Sequence, residues 1–136
     1  MAVLWRNDLS IGVEAIDNQH KELFNRINTL LDACTQGKGA EEVGSVIKFL
    51  EEYVVVHFNH EQSLMTKYNY PEYEAHKAMH IKFVEDFSKL KQQFEKEGAT
   101  INFVIQTNQV VVDWLVNHIS RVDKKLGAFL KDKVVS

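Results

Sequence analysis

From Tyr73 to Phe94 a large side chain recurs at alternating steps of three and four residues: Tyr73, His76, His80, Phe83, Phe87, Leu90 and Phe94. Only an α-helix puts such a series on one face. A chain that must hide this face has few ways to fold. The same period marks three other segments. Leu23, Ile27, Leu30 and Cys34, with Phe24 and Leu31 alongside, predict a helix over 18–36. Val43, Val46/Ile47, Leu50, Val54, His57, Glu61, Leu64 and Tyr68 predict one over 41–68. Ile101, Val104, Asn108, Val111, Leu115 and His118 predict one over 101–119, after the third over 72–96.

Punctuation agrees with long helices. The chain has only six glycines and one proline, too few for many turns. Asp17 is a candidate N-cap for the first helix, and Gly37-Lys38-Gly39 ends it. Pro71 suits the first turn of the third helix, and Gly98 stops it. Tyr53-Val54-Val55-Val56 has strand propensity, but the helical spacing continues on both sides and overrules it. Short connections make neighbouring helices antiparallel. The expected fold is all-α: an up-down-up-down four-helix bundle over a single domain, 1–136. Residues 1–17 form an extended arm whose Trp5, Leu9, Ile11, Val13 and Ile16 must pack somewhere. Leu126, Phe129 and Leu130 predict a short C-terminal helix over 123–132.

The 136 residues suffice for a core without staples. A net charge of −3 gives no electrostatic case for a nucleic-acid or anionic-membrane partner. No apolar run approaches the roughly 20 residues of a membrane span. Met1 to Asp8 has no secretory h-region. The single cysteine, Cys34, excludes an internal disulfide and CxxC metal chemistry; it reads as a small buried hydrophobe, and cytoplasmic location is the default.

The histidines carry the chemistry. There are six, and five of them, His20, His57, His76, His80 and His118, continue apolar stripes. One core histidine finds a hydrogen-bond partner easily. Five across four helices are costly unless something in the interior binds them together. His76 and His80 stand four residues apart on one face, as do His57 and Glu61. A carboxylate on an apolar stripe needs a cation or a proton. The nearest further acid, Asp123, lies five residues beyond His118, which overshoots a helical face, so the helix must loosen near 120–122 for it to reach inward.

Five imidazoles and two carboxylates over-supply a zinc, which takes four ligands, and are wrong for calcium or magnesium. They suit iron, and their number suits two irons. Two octahedra offer twelve positions. The imidazoles fill five, two bridging carboxylates four, and a bridging oxygen two. One position stays open for a small ligand.

These residues also carry a resemblance. Trp5…Ser10-Ile11-Gly12-Val13…Ile16-Asp17-Asn18-Gln19-His20, His57-Phe58-Asn59-His60-Glu61, His76-Lys77-Ala78-Met79-His80 and Trp114-Leu115-Val116-Asn117-His118-Ile119-Ser120-Arg121-Val122-Asp123 resemble the hemerythrins, in particular the single-domain bacterial ones. The match covers nearly the whole chain. It implies two iron ions joined by an oxo or hydroxo bridge. His20 and His57 would hold the iron with the open position, His76, His80 and His118 the other, and Glu61 and Asp123 would bridge them. It further implies reversible dioxygen binding in an apolar pocket of Leu23, Phe58, Trp114, Leu115 and Ile119, serving storage, transport or delivery to an oxygen-consuming enzyme. The chain departs from the family at Gln62, where a second acid is common, and His60 falls about 60° from His57 around the helix, at the periphery.

Two other functions compete. A di-iron oxidase or peroxidase of the ferritin-like kind would carry Glu-x-x-His pairs, and this chain has none, so it reads as a carrier and not an enzyme. A redox or oxygen sensor would need a separate output partner. Haem would leave three stripe histidines and Glu61 unexplained.

Overall fold

The computed structural model describes residues 4–133. Three long helices follow the first three stripes: α1 (Glu14–Thr35), α2 (Ala40–Lys67) and α3 (Tyr73–Glu97). The fourth rod is composite. α4 (Ile101–Thr107), a π turn over Asn108–Asp113, α5 (Trp114–Asn117), a second π turn over His118–Asp123 and α6 (Lys124–Leu130) follow one another without a break. α1 packs on α2, α2 on α3, and α3 on α4 and its π turn. The result is a four-helix bundle, and the Val54 stretch is helical.

The helix ends explain the tight turns. Gly37 takes φ +68°, and the Lys38 N–H reaches back to the Ala33 carbonyl at 3.0 Å. This left-handed cap satisfies carbonyls that the helix leaves open. Asn69, φ 57°, does the same after α2, with the Tyr70 N–H on the Met65 carbonyl at 2.8 Å. Thr100 caps α4 by accepting the Phe103 N–H at 3.1 Å.

Several expectations are corrected. α1 begins at Glu14, not 18, so Asp17 lies inside the helix and does not cap it. Its carboxylate instead accepts the Ile11 N–H at 2.9 Å and the Ser10 hydroxyl, because the folded-back arm offers donors that the helix does not need. Pro71 sits in the turn before α3, not in its first turn. The early stripe of the fourth rod is out of phase: Ile101 is 82% exposed, while Phe103 and Thr107 are buried with Val111 and Leu115. Those four stand in steps of four residues, which drift around a pure α-helix. The π turn accommodates one extra residue and keeps them facing inward. Cys34 is half-buried at the edge of the core, its thiol pKa pushed up by burial.

The core runs the length of the bundle, with Leu30, Ile47, Leu50, Phe83 and Phe103 almost wholly enclosed. Each such side chain contributes roughly 1.5–3 kcal/mol of burial. Of the arm, Leu9, Ile11 and Val13 are buried, and a 3-10 turn, Asn7–Leu9, packs near the second π turn. Trp5 lies against Phe24 with ring centres 5.9 Å apart. Gly127 is required at this crossing: a Cβ there would overlap the Ile11 carbonyl. The first three residues of the expected arm lie outside the described residues.

Candidate metal centre

One end of the core is polar. His20 and Glu61 come from α1 and α2, with His57 one turn before Glu61. His76 and His80 come from α3, and His118 and Asp123 bracket the second π turn. All seven are buried, and Glu61, Asp123 and His20 have no exposure. The π turn is what brings Asp123 inward. Its i→i+5 step sets His118 and Asp123 on one face, with Nε2 and Oδ1 3.2 Å apart.

The donors sort into two sets. Glu61, His76, His80, His118 and Asp123 each offer an atom within 4.8 Å of the others, and so do His20, His57, Glu61 and Asp123. Glu61 divides its oxygens between them: Oε1 lies 3.2 Å from His80 Nε2 and 3.4 Å from His76 Nε2, and Oε2 lies 3.2 Å from His57 Nε2. Asp123 does likewise, with Oδ1 3.0 Å from His76 Nε2 and Oδ2 3.2 Å from His20 Nε2. In the larger set, Nε2 of His118 approaches Nε2 of His76 at 3.1 Å and of His80 at 3.3 Å. Two nitrogens cannot attract one another at that distance without a proton or a cation between them.

These approaches are not hydrogen bonds in the main. Both Glu61 oxygens, both Asp123 oxygens and His20 Nε2 are buried without a hydrogen-bond partner, although ion-pair distances connect them. The lone pairs converge on shared central points instead of on each other's hydrogens. An unsatisfied buried polar atom costs roughly 1–3 kcal/mol. Five of them rival the whole stability of a typical domain, roughly 5–15 kcal/mol. Cations at the two foci remove that cost, and imidazole plus carboxylate is a donor set suited to iron.

Electrostatics agree. Burial opposes charge on His20 and His76, yet attraction to Asp123 and Glu61 raises both pKa values to about 9. Burial pushes His80 down. Burial would raise Glu61 and Asp123, but the surrounding imidazoles hold both well below the usual carboxylate range. The metal-free cluster therefore keeps protons where cations would sit.

Amides orient the rings. Gln19 Oε1 accepts from His57 Nδ1 at 2.8 Å and from His60 Nδ1 at 3.1 Å. That leaves His57 Nε2 as the free donor atom facing the cluster. Gln62 Nε2 stands 3.1 Å from His80 Nδ1; the two ends of an amide are interchangeable in placement, and a proton on His80 Nδ1 requires the amide turned so that its oxygen accepts it. Sequence reasoning gave neither glutamine a role, noting Gln62 only as a departure from the family, and it left His60 at the periphery, where it shares the Gln19 carbonyl. The nearest signal was position: Gln19 and Gln62 each adjoin a stripe residue.

Aromatic rings wall the site. Phe58 stacks on His80, centres 3.8 Å apart and nearly parallel, and lies 5.8 Å from His57. Trp114 stacks on His118 at 4.3 Å. Leu23, Leu115 and Ile119 are buried, Leu23 one turn after His20 and Ile119 next to His118.

The model of the hemerythrin HHE cation-binding domain matches residues 11–130. A bacteriohemerythrin of Methylococcus capsulatus is 40% identical over 123 residues, which covers 90% of this chain and 92% of that protein. A hemerythrin-like protein of Naegleria gruberi is 36% identical, over 93% and 92% of the two chains. A crystal structure of wild-type hemerythrin superposes with a TM-score of 0.85 at 36% identity, covering 96% of this chain and 99% of that one. The chain belongs to the hemerythrin family. Hemerythrins bind dioxygen at a non-haem di-iron centre and are in general oxygen-binding proteins, not enzymes; the buried histidine–carboxylate cluster fits such a centre. No helix among the described residues is long and apolar enough to cross a membrane.

Proposed function

We propose that this protein is a reversible dioxygen carrier, with His76, His80 and His118 holding one iron, His20 and His57 the other, and Glu61 and Asp123 bridging them. The observation that carries this reading is the division of each carboxylate's two oxygens between the two donor sets. Two irons held there would supply the electrons and the coordination position that dioxygen binding needs. The five-donor set leaves less room than the four-donor set, so the open position belongs beside His20 and His57.

The chain's own residues do the rest. Gln19 and Gln62 fix the ring tautomers. Leu23, Phe58, Trp114, Leu115 and Ile119 exclude water from the pocket. A single free thiol, Cys34, is in keeping with a reducing, cytoplasmic setting. Storage, or delivery to an oxygen-consuming enzyme, follows from a carrier that releases what it binds.

Gas exchange separates carrier from enzyme. The iron-loaded, reduced protein should take up one dioxygen per chain and release it under vacuum. Continuous consumption of dioxygen with an added reductant, and no release, would make it an oxidase instead.

A further inference from the structure

A groove of about 270 Å³ runs between α2 and α3, floored by Phe58 and His80. Its α2 wall, Val55, Phe58, Asn59 and Gln62, carries no charge. Its α3 rim exposes Ile81 (48%) and Val84 (38%), and Val55 (43%) faces them. Solitary exposed aliphatics need no explanation, but three contiguous ones beside an apolar groove mark an interaction surface.

The order of residues along α3 indicates what covers it. Lys77 stands four residues before Ile81, and Glu85 four residues after it. Ala78 and Val84 stand three before and three after. The rim is therefore charge-palindromic about Ile81. Two copies of α3 laid antiparallel across a twofold axis at Ile81 would set Ile81 on Ile81, Val84 on Ala78, and Glu85 on Lys77 at both ends. The same register sets Glu74 opposite Ser88, so no like charges meet. Glu85 is exposed and has no ion-pair partner among the described residues, and Lys77 contacts only the Tyr73 ring there. By contrast the neighbouring Lys82 and Asp86 already pair with each other at 2.8 Å.

We propose that this α2/α3 face is the interface with a second copy of the chain, an isologous dimer centred on Ile81. Self-complementarity of one patch is what a twofold interface requires. The packed partner would close the groove over Phe58 and over the Gln62–His80 contact, keeping water from the outer side of the metal centre.

Sedimentation of the iron-loaded chain across a concentration series tests this. A dimer is expected. Ile81→Glu should give a monomer with unchanged helical content. Lys77→Glu and Glu85→Lys should each weaken the dimer, and the two combined should restore it, since the swap rebuilds both ion pairs. In a Cys34→Ser background, Ile81→Cys should cross-link rapidly on mild oxidation, while Ser45→Cys, exposed elsewhere on α2, should not. A chain that stays monomeric up to roughly 1 mM overturns the proposal, whatever else the groove binds. So does a dimer indifferent to Ile81→Glu and to both charge reversals.

Discussion

His118 and Asp123 are five residues apart, yet their Nε2 and Oδ1 atoms lie 3.2 Å from each other across a π turn. In a regular helix one of the two would point away. The extra residue thus places the Asp123 carboxylate among the buried donors, and it accounts for why a helix this close to the core departs from α geometry.

Replacing Asp123 by Ala should therefore strip the centre of its bridge without unfolding the bundle, since side-chain truncation leaves the backbone turn intact. Iron analysis should show fewer than two irons per chain, with helical content retained. Two tightly held irons in Asp123→Ala would remove Asp123 from the ligand set.

The glutamines act through the rings they orient. Gln19→Leu frees His57 Nδ1 and His60 Nδ1 together, and Gln62→Leu frees His80 Nδ1. Loss of such a support costs about 10- to 100-fold in metal affinity. Competition with a chelator reads this directly. Gln62→Glu should retain or tighten binding, because a carboxylate is a stronger acceptor for the Nδ1 proton. Equal losses in Gln62→Glu and Gln62→Leu would mean that size, not hydrogen bonding, matters at this position.

The apolar wall should protect the reduced centre. Leu23→Asp or Ile119→Glu admits water beside the histidines and should accelerate autoxidation, with iron content near normal. Stopped-flow spectra of the oxygenated protein follow the rate. If neither variant oxidises faster, these side chains are ordinary core and not a pocket.

Metal-free protein should lose stability as the solution becomes alkaline. His20 and His76 have folded pKa values of about 9, above the roughly 6.5 of an unfolded chain. Their protonation stabilises the folded state fully below the unfolded value, and this contribution disappears as pH rises through about 9. Urea midpoints of the metal-free chain should fall between about pH 6.5 and about pH 9. Iron replaces those protons, so the loaded chain should not show the same fall. Metal-free midpoints that rise over this interval would contradict the charge distribution described for the cluster.

Gly127 locks the arm to the last helix. Gly127→Ala sets a methyl against the Ile11 carbonyl and should cost about 1–3 kcal/mol, the range for overpacking. Thermal denaturation measures it. Phe103→Ala, which empties a buried site, should cost roughly 3–5 kcal/mol.

Much of the fold and centre was legible because one period governs both. His57 and Glu61, and His76 and His80, are candidate ligand pairs by the same four-residue step that makes their helices amphipathic. Asp123 was legible through the family resemblance and through the loosening it demanded near 120–122, which the π turn provides. The other π turn had no comparable signal, so the phase of Ile101, Val104 and Asn108 was misread. The roles of Gln19 and Gln62 were silent for a different reason. A half-exposed amide on a helix is common, and its partner across the bundle is fixed by tertiary packing. Asp17 read as a cap because acids often begin helices; the donors it accepts belong to an arm whose path local sequence does not specify.

We propose that the seven buried donors together hold one pair of irons. Anaerobic titration of the metal-free chain with ferrous iron, followed by optical spectra on adding and removing dioxygen, tests it most directly. Uptake should saturate at two irons per chain, and a charge-transfer band should appear with dioxygen and vanish when it is withdrawn. Saturation at one iron, or a band that forms once and never reverses, would contradict that proposal.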